Sequence, residues 1–242
     1  MKQFLLGTSG YNYREWKDDF YPINVRQKDW MAYYASKFTS LEINATFYRS
    51  FPAHVYEKWH NTVGDGFTFT IKGPRTITHI KRLKDIDEEL SVFYSANAAL
   101  REKLSCILWQ FPSNFKKNER NYPLFQAFLT KLPPKYRHAF EFRDPSWFED
   151  EVYNIMKQHN AGFVINDSNR FPAATAITSD FAYIRFHGPR KLYASSYTDE
   201  ELKDWSKQIK QWLQTIDVYA YFNNDMGGHA FRNALALRKM IA

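Results

Sequence analysis

One cysteine in 242 residues, Cys106, excludes an internal disulfide and makes a cytoplasmic location the simplest expectation. No apolar run approaches the roughly 18 residues that a membrane span requires, so no membrane partner is expected. The opening Met1-Lys2-Gln3 leads into an apolar run, Phe4-Leu5-Leu6-Gly7, that is too short for a signal peptide and lacks a small-residue cleavage pattern. There is no His-Glu-x-x-His and no paired-cysteine spacing, which argues against a dedicated metal centre. Gly7-Thr8-Ser9-Gly10 lacks the spacing of a dinucleotide fingerprint, so no nucleotide cofactor is expected. Internal repeats, low-complexity tracts and linkers are absent too, and the length suits one α/β barrel, so one domain is expected.

Charge is present in excess of one sign. The net charge of +7 and pI near 9.3 favour anionic partners, either a small anionic molecule or nucleic acid. Basic residues are nevertheless spread along the chain, with short clusters only at Lys81-Arg82 and Lys116-Lys117, which also fits an ordinary soluble surface.

The strongest pattern is alternation of apolar and polar residues, the period of a strand. It is clearest in Ala139-Phe140-Glu141-Phe142-Arg143-Asp144 and recurs in Leu41–Phe47, Phe67–Lys72 and Phe181–His187. Further strands are expected over Gln3–Ser9, Ser105–Phe111, Phe163–Asp167 and Val218–Asn223. Helical periodicity falls between them: Asp29–Lys37, a helix opened by Pro52, the longest helix over Lys81–Lys103, Tyr122–Leu132, one through Val152 and Met156, one from Leu202 to Leu213, and His229–Met240. Capping boxes are expected at Ser146 with Glu149 and at Thr198 with Glu201. About a dozen residues between strands six and seven leave room only for a short helix. Eight strands alternating with helices predict a single-domain α/β protein, a (β/α)8 TIM barrel, in preference to an open doubly wound sheet.

In a barrel both faces of the sheet are covered, and the polar residues of each strand become lumen residues. The apolar set packs under the helices, which leaves Glu42, Asn44, Thr46, Thr70, Lys72, Glu141, Arg143, Arg185 and His187 facing inward. A weaker parity adds Gln110, Asp167 and Asn223, and most of the set lies toward the strand carboxyl ends, where barrel active sites are built. Cys106 is expected on the opposite parity as a small buried side chain. Charges inside a barrel must pair, meet water or bind something. A self-satisfied network of Glu141 with Arg143 or Arg185 would account for them structurally; gathered at one mouth, they also suit a site. Lys72, Arg143 and Arg185 would hold phosphate or carboxylate, with Glu42, Glu141 and His187 as acid/base candidates. Gly228, before the last helix, would offer backbone N–H groups to an anion. Tyr11 and Trp16 would stack a base or sugar, or simply cap the core. Carboxylates with His187 would also suit a divalent ion, but without a metal-binding spacing no metal ligands are assigned.

The chain also resembles a known family. Gly7-Thr8-Ser9-Gly10-Tyr11 with Trp16, Glu42-Ile43-Asn44-Ala45-Thr46-Phe47-Tyr48, Phe67-Thr68-Phe69 with Lys72, Gln110-Phe111-Pro112, Glu141-Phe142-Arg143 with Ser146-Trp147, Arg185-Phe186-His187-Gly188, and Tyr221-Phe222-Asn223-Asn224 with Gly228 and Ala230 are similar to the motif series of the YecE-like family, domain of unknown function 72 (DUF72). The likeness runs nearly end to end and departs at Val63-Gly64-Asp65-Gly66, where a Pro-containing approach is expected. It implies a TIM barrel and no established reaction. The leading expectation is an enzyme acting by acid/base chemistry on a small phosphorylated or carboxylated, sugar-like substrate without an organic cofactor. The alternatives are a nucleic-acid-binding or processing protein and a non-catalytic scaffold.

Overall fold

The computed structural model describes residues 2–241. Eight parallel strands form one sheet in the order β1-β8-β7-β6-β5-β4-β3-β2: β1 Phe4–Thr8, β2 Ser40–Ile43, β3 Thr68–Lys72, β4 Leu104–Gln110, β5 Arg137–Glu141, β6 Gly162–Asp167, β7 Phe181–Phe186 and β8 Asp217–Phe222. The sheet closes between β1 and β2 through side chains. Tyr34 Oη receives the Thr8 amide at 2.7 Å and lies 3.3 Å from the Ser40 carbonyl, while Thr39 Oγ1 receives the Leu6 amide at 3.2 Å. A Cβ on Gly7 would stand 2.0 Å from the Ser40 carbonyl oxygen, so only glycine allows this approach. The result is a (β/α)8 barrel.

Around it lie α1 Trp30–Ala35, α2 Ala45–Tyr48, α3 Ala53–Thr62, α4 Asp87–Asn97, α5 Asn121–Lys131, α6 Asp150–Gln158, α7 Asp199–Trp212 and α8 His229–Ile241. The β6–β7 connection carries no helix in its described residues. Thr178 serves the strand edge there instead: its hydroxyl accepts the Phe163 amide at 2.8 Å and donates to the Ala161 carbonyl at 2.6 Å.

Three local expectations give way. The helix expected over Lys81–Lys103 is broken, with α4 starting only at Asp87 and α7 the longer helix. Arg82, Leu83 and Asp85 all have positive φ, and Leu83 and Ile86 reach the core from this turn, so their helical spacing is coincidental. The expected second strand ends at Ile43, and Thr46 turns out of the lumen to donate to the Lys72 carbonyl at 2.7 Å. At the start of α6, Ser146 is bound by Asp144 and Glu149 by Lys117, so no capping box forms, whereas the Thr198–Glu201 box does.

Candidate functional site

Strand parity stacks the lumen in levels. The lower levels hold Cys106, Leu108, Ala139 and Val164 with Tyr183, Tyr219 and Tyr221. Cys106 therefore shares the inward face with Gln110, contrary to the outward parity expected for it, because residues four apart on a strand point the same way. Tyr221 Oη is shared by Ser40 Oγ at 2.6 Å and Thr70 Oγ1 at 2.9 Å.

Above these tyrosines sits a buried charge cluster. Arg185 grips Glu42 with two bonds, Nε to Oε2 at 3.0 Å and Nη2 to Oε1 at 2.7 Å, and donates Nη1 to Glu141 Oε2 at 2.5 Å. Tyr183 adds a hydroxyl to Glu42 at 2.6 Å, and Arg143 Nε reaches Glu141 Oε1 at 2.8 Å. Burial alone would lift the Glu141 carboxyl, but the Arg185 and Arg143 guanidiniums hold it well below the usual carboxylate range. Burial likewise opposes the charge on Arg185, and Glu42 and Glu141 more than reverse that.

A cavity of about 610 Å³ opens over this cluster at the carboxyl ends of the strands. Of the residues expected from sequence, Asn44, Lys72, Gln110, Arg143, Arg185 and Asn223 line it. A smaller space of about 380 Å³ shares His79, Gln110, Arg143 and Tyr193 with it and extends to Arg170 and Phe171. Lys72 is buried, with Nζ 4.1 Å from the centroid of the Phe47 ring, and among the described residues it forms no ion pair. Burial first, then the Arg185 and Arg143 charges, bring its pKa down to about 7 against the pull of Glu141 and Glu42. Asn44 Oδ1 is buried without a hydrogen-bond partner, and Gln110 Nε2 is used by the Phe111 carbonyl at 2.7 Å.

The acid/base candidates face inward, as expected, but lie beneath the cavity and not on its wall. Glu42 and Glu141 face Arg185 and are not among the residues lining the cavity. His187 lies below Asn223, whose Nδ2 donates to its Nδ1 at 3.2 Å, leaving Nε2 to donate to Asn166 Oδ1 at 3.2 Å. Burial and the Arg185 charge push its pKa well below the ordinary value, so the ring is neutral.

Four other expected residues lie away from the cavity. Asp167 points outward, accepting Trp205 Nε1 of α7 at 2.5 Å, and Asn166 takes the lumen position beside Arg185. Trp16 is buried between Tyr13, Phe20 and Phe231, and Tyr11 turns its ring to Tyr34. The Gly228 amide is already bonded to the Asp225 carbonyl at 3.0 Å, which removes it as an anion donor.

In their place the loops supply Ser9, Tyr13, Arg75, His79, Tyr193 and Asp225. Burial lifts the Asp225 carboxyl to about 6 and, ahead of the Lys72 charge, lowers the His79 imidazole to about 4. Ser9 could have been found by carrying strict alternation from Gly7; Asn166 follows a run that is apolar on both faces, and Arg75, His79 and Asp225 have no periodic signal, because they stand on turns.

Comparison with known proteins identifies the family. The family model described as "Protein of unknown function DUF72" matches residues 5–242. The UPF0759 protein YunF of Bacillus subtilis (strain 168) is 25% identical over 256 aligned positions, covering 93% of this chain and 90% of that protein. The UPF0759 protein YecE of Escherichia coli (strain K12) is 25% identical over 215 positions, covering 78% and 77%. A crystal structure of a DUF72 family protein from Thermotoga maritima superposes with a TM-score of 0.90 at 30% identity, covering 99% of both chains. With its barrel, its charged lumen and a family match over nearly its whole length, the chain belongs to the DUF72 family.

Proposed function

We propose that the cavity binds a small phosphorylated or carboxylated molecule of sugar-like size, and that the protein is an enzyme acting on it by acid/base chemistry without an organic cofactor. The observation that carries this reading is unmatched positive charge: Arg75 lines the cavity without an ion pair among the described residues, Arg143 engages Glu141 through Nε alone, and Lys72, also without an ion pair, adds a partial charge. Guanidinium forks suit carboxylate and phosphate oxygens. Asn44, Gln110 and Asn223 add neutral groups for hydroxyls.

Acid/base work falls to Lys72 and Asp225, which share the cavity wall and have values of about 7 and about 6, near the operating pH. Glu42 and Glu141 then position Arg185, and His187 positions Asn223.

A thermal-shift panel of phosphorylated and carboxylated metabolites tests the proposal. A ligand at a hundredfold over its Kd stabilises by about 2.7 kcal/mol, and Lys72→Ala and Arg143→Ala lose that shift. A panel without any shift overturns it. The nucleic-acid alternative draws on Tyr48, 69% exposed at the cavity rim and able to stack a base. It requires oligonucleotide affinity that falls steeply with salt, and no binding at low salt removes it.

A further inference from the structure

An anion site needs positive charge, which Arg75 and Arg143 supply from the cavity wall; Lys72 is built differently. It stands at the end of β3, buried, with its amine over the Phe47 ring and no carboxylate in ion-pair distance among the described residues. The charged and titratable groups around it are Glu42 from β2, Glu141 and Arg143 from β5 and its extension, Arg185 from β7, His187 just beyond it and His79 from the turn after β3. Glu42 and Glu141 favour its charge, but both are engaged by Arg185. The Phe47 face favours charge as well, yet burial and two guanidiniums prevail and bring the amine to about 7. A lysine desolvated beside fixed cations is a nucleophile, since a large share of it is neutral at neutral pH.

We propose that Lys72 forms a Schiff base with an aldehyde or ketone carbonyl of the substrate, whose phosphate or carboxylate is held by Arg75 and Arg143. This deepens the anion reading of the same cavity and rests on it. The Nζ lone pair attacks the carbonyl carbon, the carbonyl π pair moves to oxygen, and proton transfer from nitrogen to oxygen gives a carbinolamine. Protonation of its hydroxyl and departure of water then form C=N as an iminium. The carbonyl oxygen and two hydrogens leave as water, without oxidation or reduction. Asp225, with its carboxyl raised to about 6, is the candidate acid for the departing hydroxyl. The iminium withdraws electrons from the neighbouring bond, so the reaction class is proton abstraction or carbon–carbon cleavage next to the carbonyl.

Wild-type protein incubated with limiting pyridoxal 5′-phosphate and sodium cyanoborohydride, followed by peptide mass spectrometry, tests this directly. Pyridoxal 5′-phosphate is used only as a probe carrying both an aldehyde and a phosphate. The reduced adduct is expected on Lys72 roughly tenfold or more faster than on any other lysine, since ordinary lysines titrate far higher, with a rate midpoint near pH 7. Glycerol 3-phosphate, which has no carbonyl, is expected to slow it by competition. Pyridoxal without the phosphate should lose most of the preference; equal labelling of Lys72 by pyridoxal supports the nucleophile and overturns the anion reading. Adduct spread over other lysines with none preferred at Lys72, while glycerol 3-phosphate still raises Tm, overturns the Schiff base and leaves the anion reading standing. Neither adduct at Lys72 nor a shift overturns both.

Discussion

Two charged regions lie one above the other in this barrel, and they differ in whether their charges are matched. In the lower, Arg185 lies between Glu42 and Glu141, Arg143 completes the second carboxylate, and every member is paired with another. In the upper, Lys72 and Arg75 line a cavity without forming an ion pair among the described residues, and burial raises the Asp225 carboxyl of the same wall to about 6. Matched charge inside a protein needs no ligand to explain it, whereas unmatched charge beside a cavity does. The carboxylates that look most catalytic in the sequence are thus the matched ones, engaged by Arg185 beneath the cavity.

The largest effect should come from breaking the matched region. Arg185→Met leaves Glu42 and Glu141 buried against one remaining guanidinium, and a loss of about 3–5 kcal/mol in urea denaturation at pH 7 is expected. A loss below about 1 kcal/mol would mean that the cluster is not the structural element described. Because the Glu141 pKa lies below its unfolded value, its contribution is complete above about pH 4.3 and disappears as pH falls through the folded value. The acid limb of the wild-type stability profile should therefore flatten in the variant.

Lys72→Met probes the unmatched region, where a depressed pKa again makes stability rise with pH, but in a neutral-to-alkaline window instead of on the acid limb. The folded amine titrates near 7 and the unfolded one near about 10.4, so between those values the unfolded chain binds the extra proton and wild-type stability rises with pH. Relative to Lys72→Met, the wild type should gain up to about 1.4 kcal/mol per pH unit across that window. Denaturation at pH 7 and pH 9 measures it; parallel profiles would show that Lys72 is an ordinary charged lysine.

Tyr221→Phe acts below both regions. It removes the hydroxyl that Ser40 and Thr70 share, leaving Thr70 Oγ1 without a partner while Ser40 Oγ keeps Thr68, and about 1–2 kcal/mol should be lost without change in anion affinity. An affinity loss comparable to that of Arg143→Ala would couple the layers that the comparison separates.

How much of this was legible depended on the strand. In β2, β3, β5 and β7 apolar and polar residues alternate, so parity alone placed Glu42, Lys72, Glu141 and Arg185 inward, and the barrel followed from the strand count. Whether an inward charge is matched depends on register across β2, β5 and β7, which no local pattern carries; the bidentate grip of Arg185 on Glu42 spans 143 residues. The loop residues Arg75, His79 and Asp225 reach the cavity through tertiary packing alone. Loop aromatics are ambiguous for a related reason: Trp16 and Tyr13 are near neighbours in one turn, yet the first is sealed under Phe231 and the second lines the cavity.

β6 was the unreadable strand, and it yields the smallest test. Phe163-Val164-Ile165 is apolar on both faces, so alternation gave no parity for Asn166 and Asp167, and the carboxylate was the more tempting lumen residue. Register settles it: Asn166 stands beside Arg185 and Asp167 beside Phe186, which faces the helices. Asp167→Asn keeps an acceptor for Trp205 Nε1 but makes it neutral, and burial already opposes the charge on this carboxyl. A stability change within about 1 kcal/mol is expected, with anion affinity unaltered. Asn166→Leu, by contrast, removes the partner of His187 Nε2 and should weaken anion binding through the displaced Asn223. If Asp167→Asn weakened binding and Asn166→Leu did not, the boundary between the lumen and the outer core would have to be redrawn at this strand.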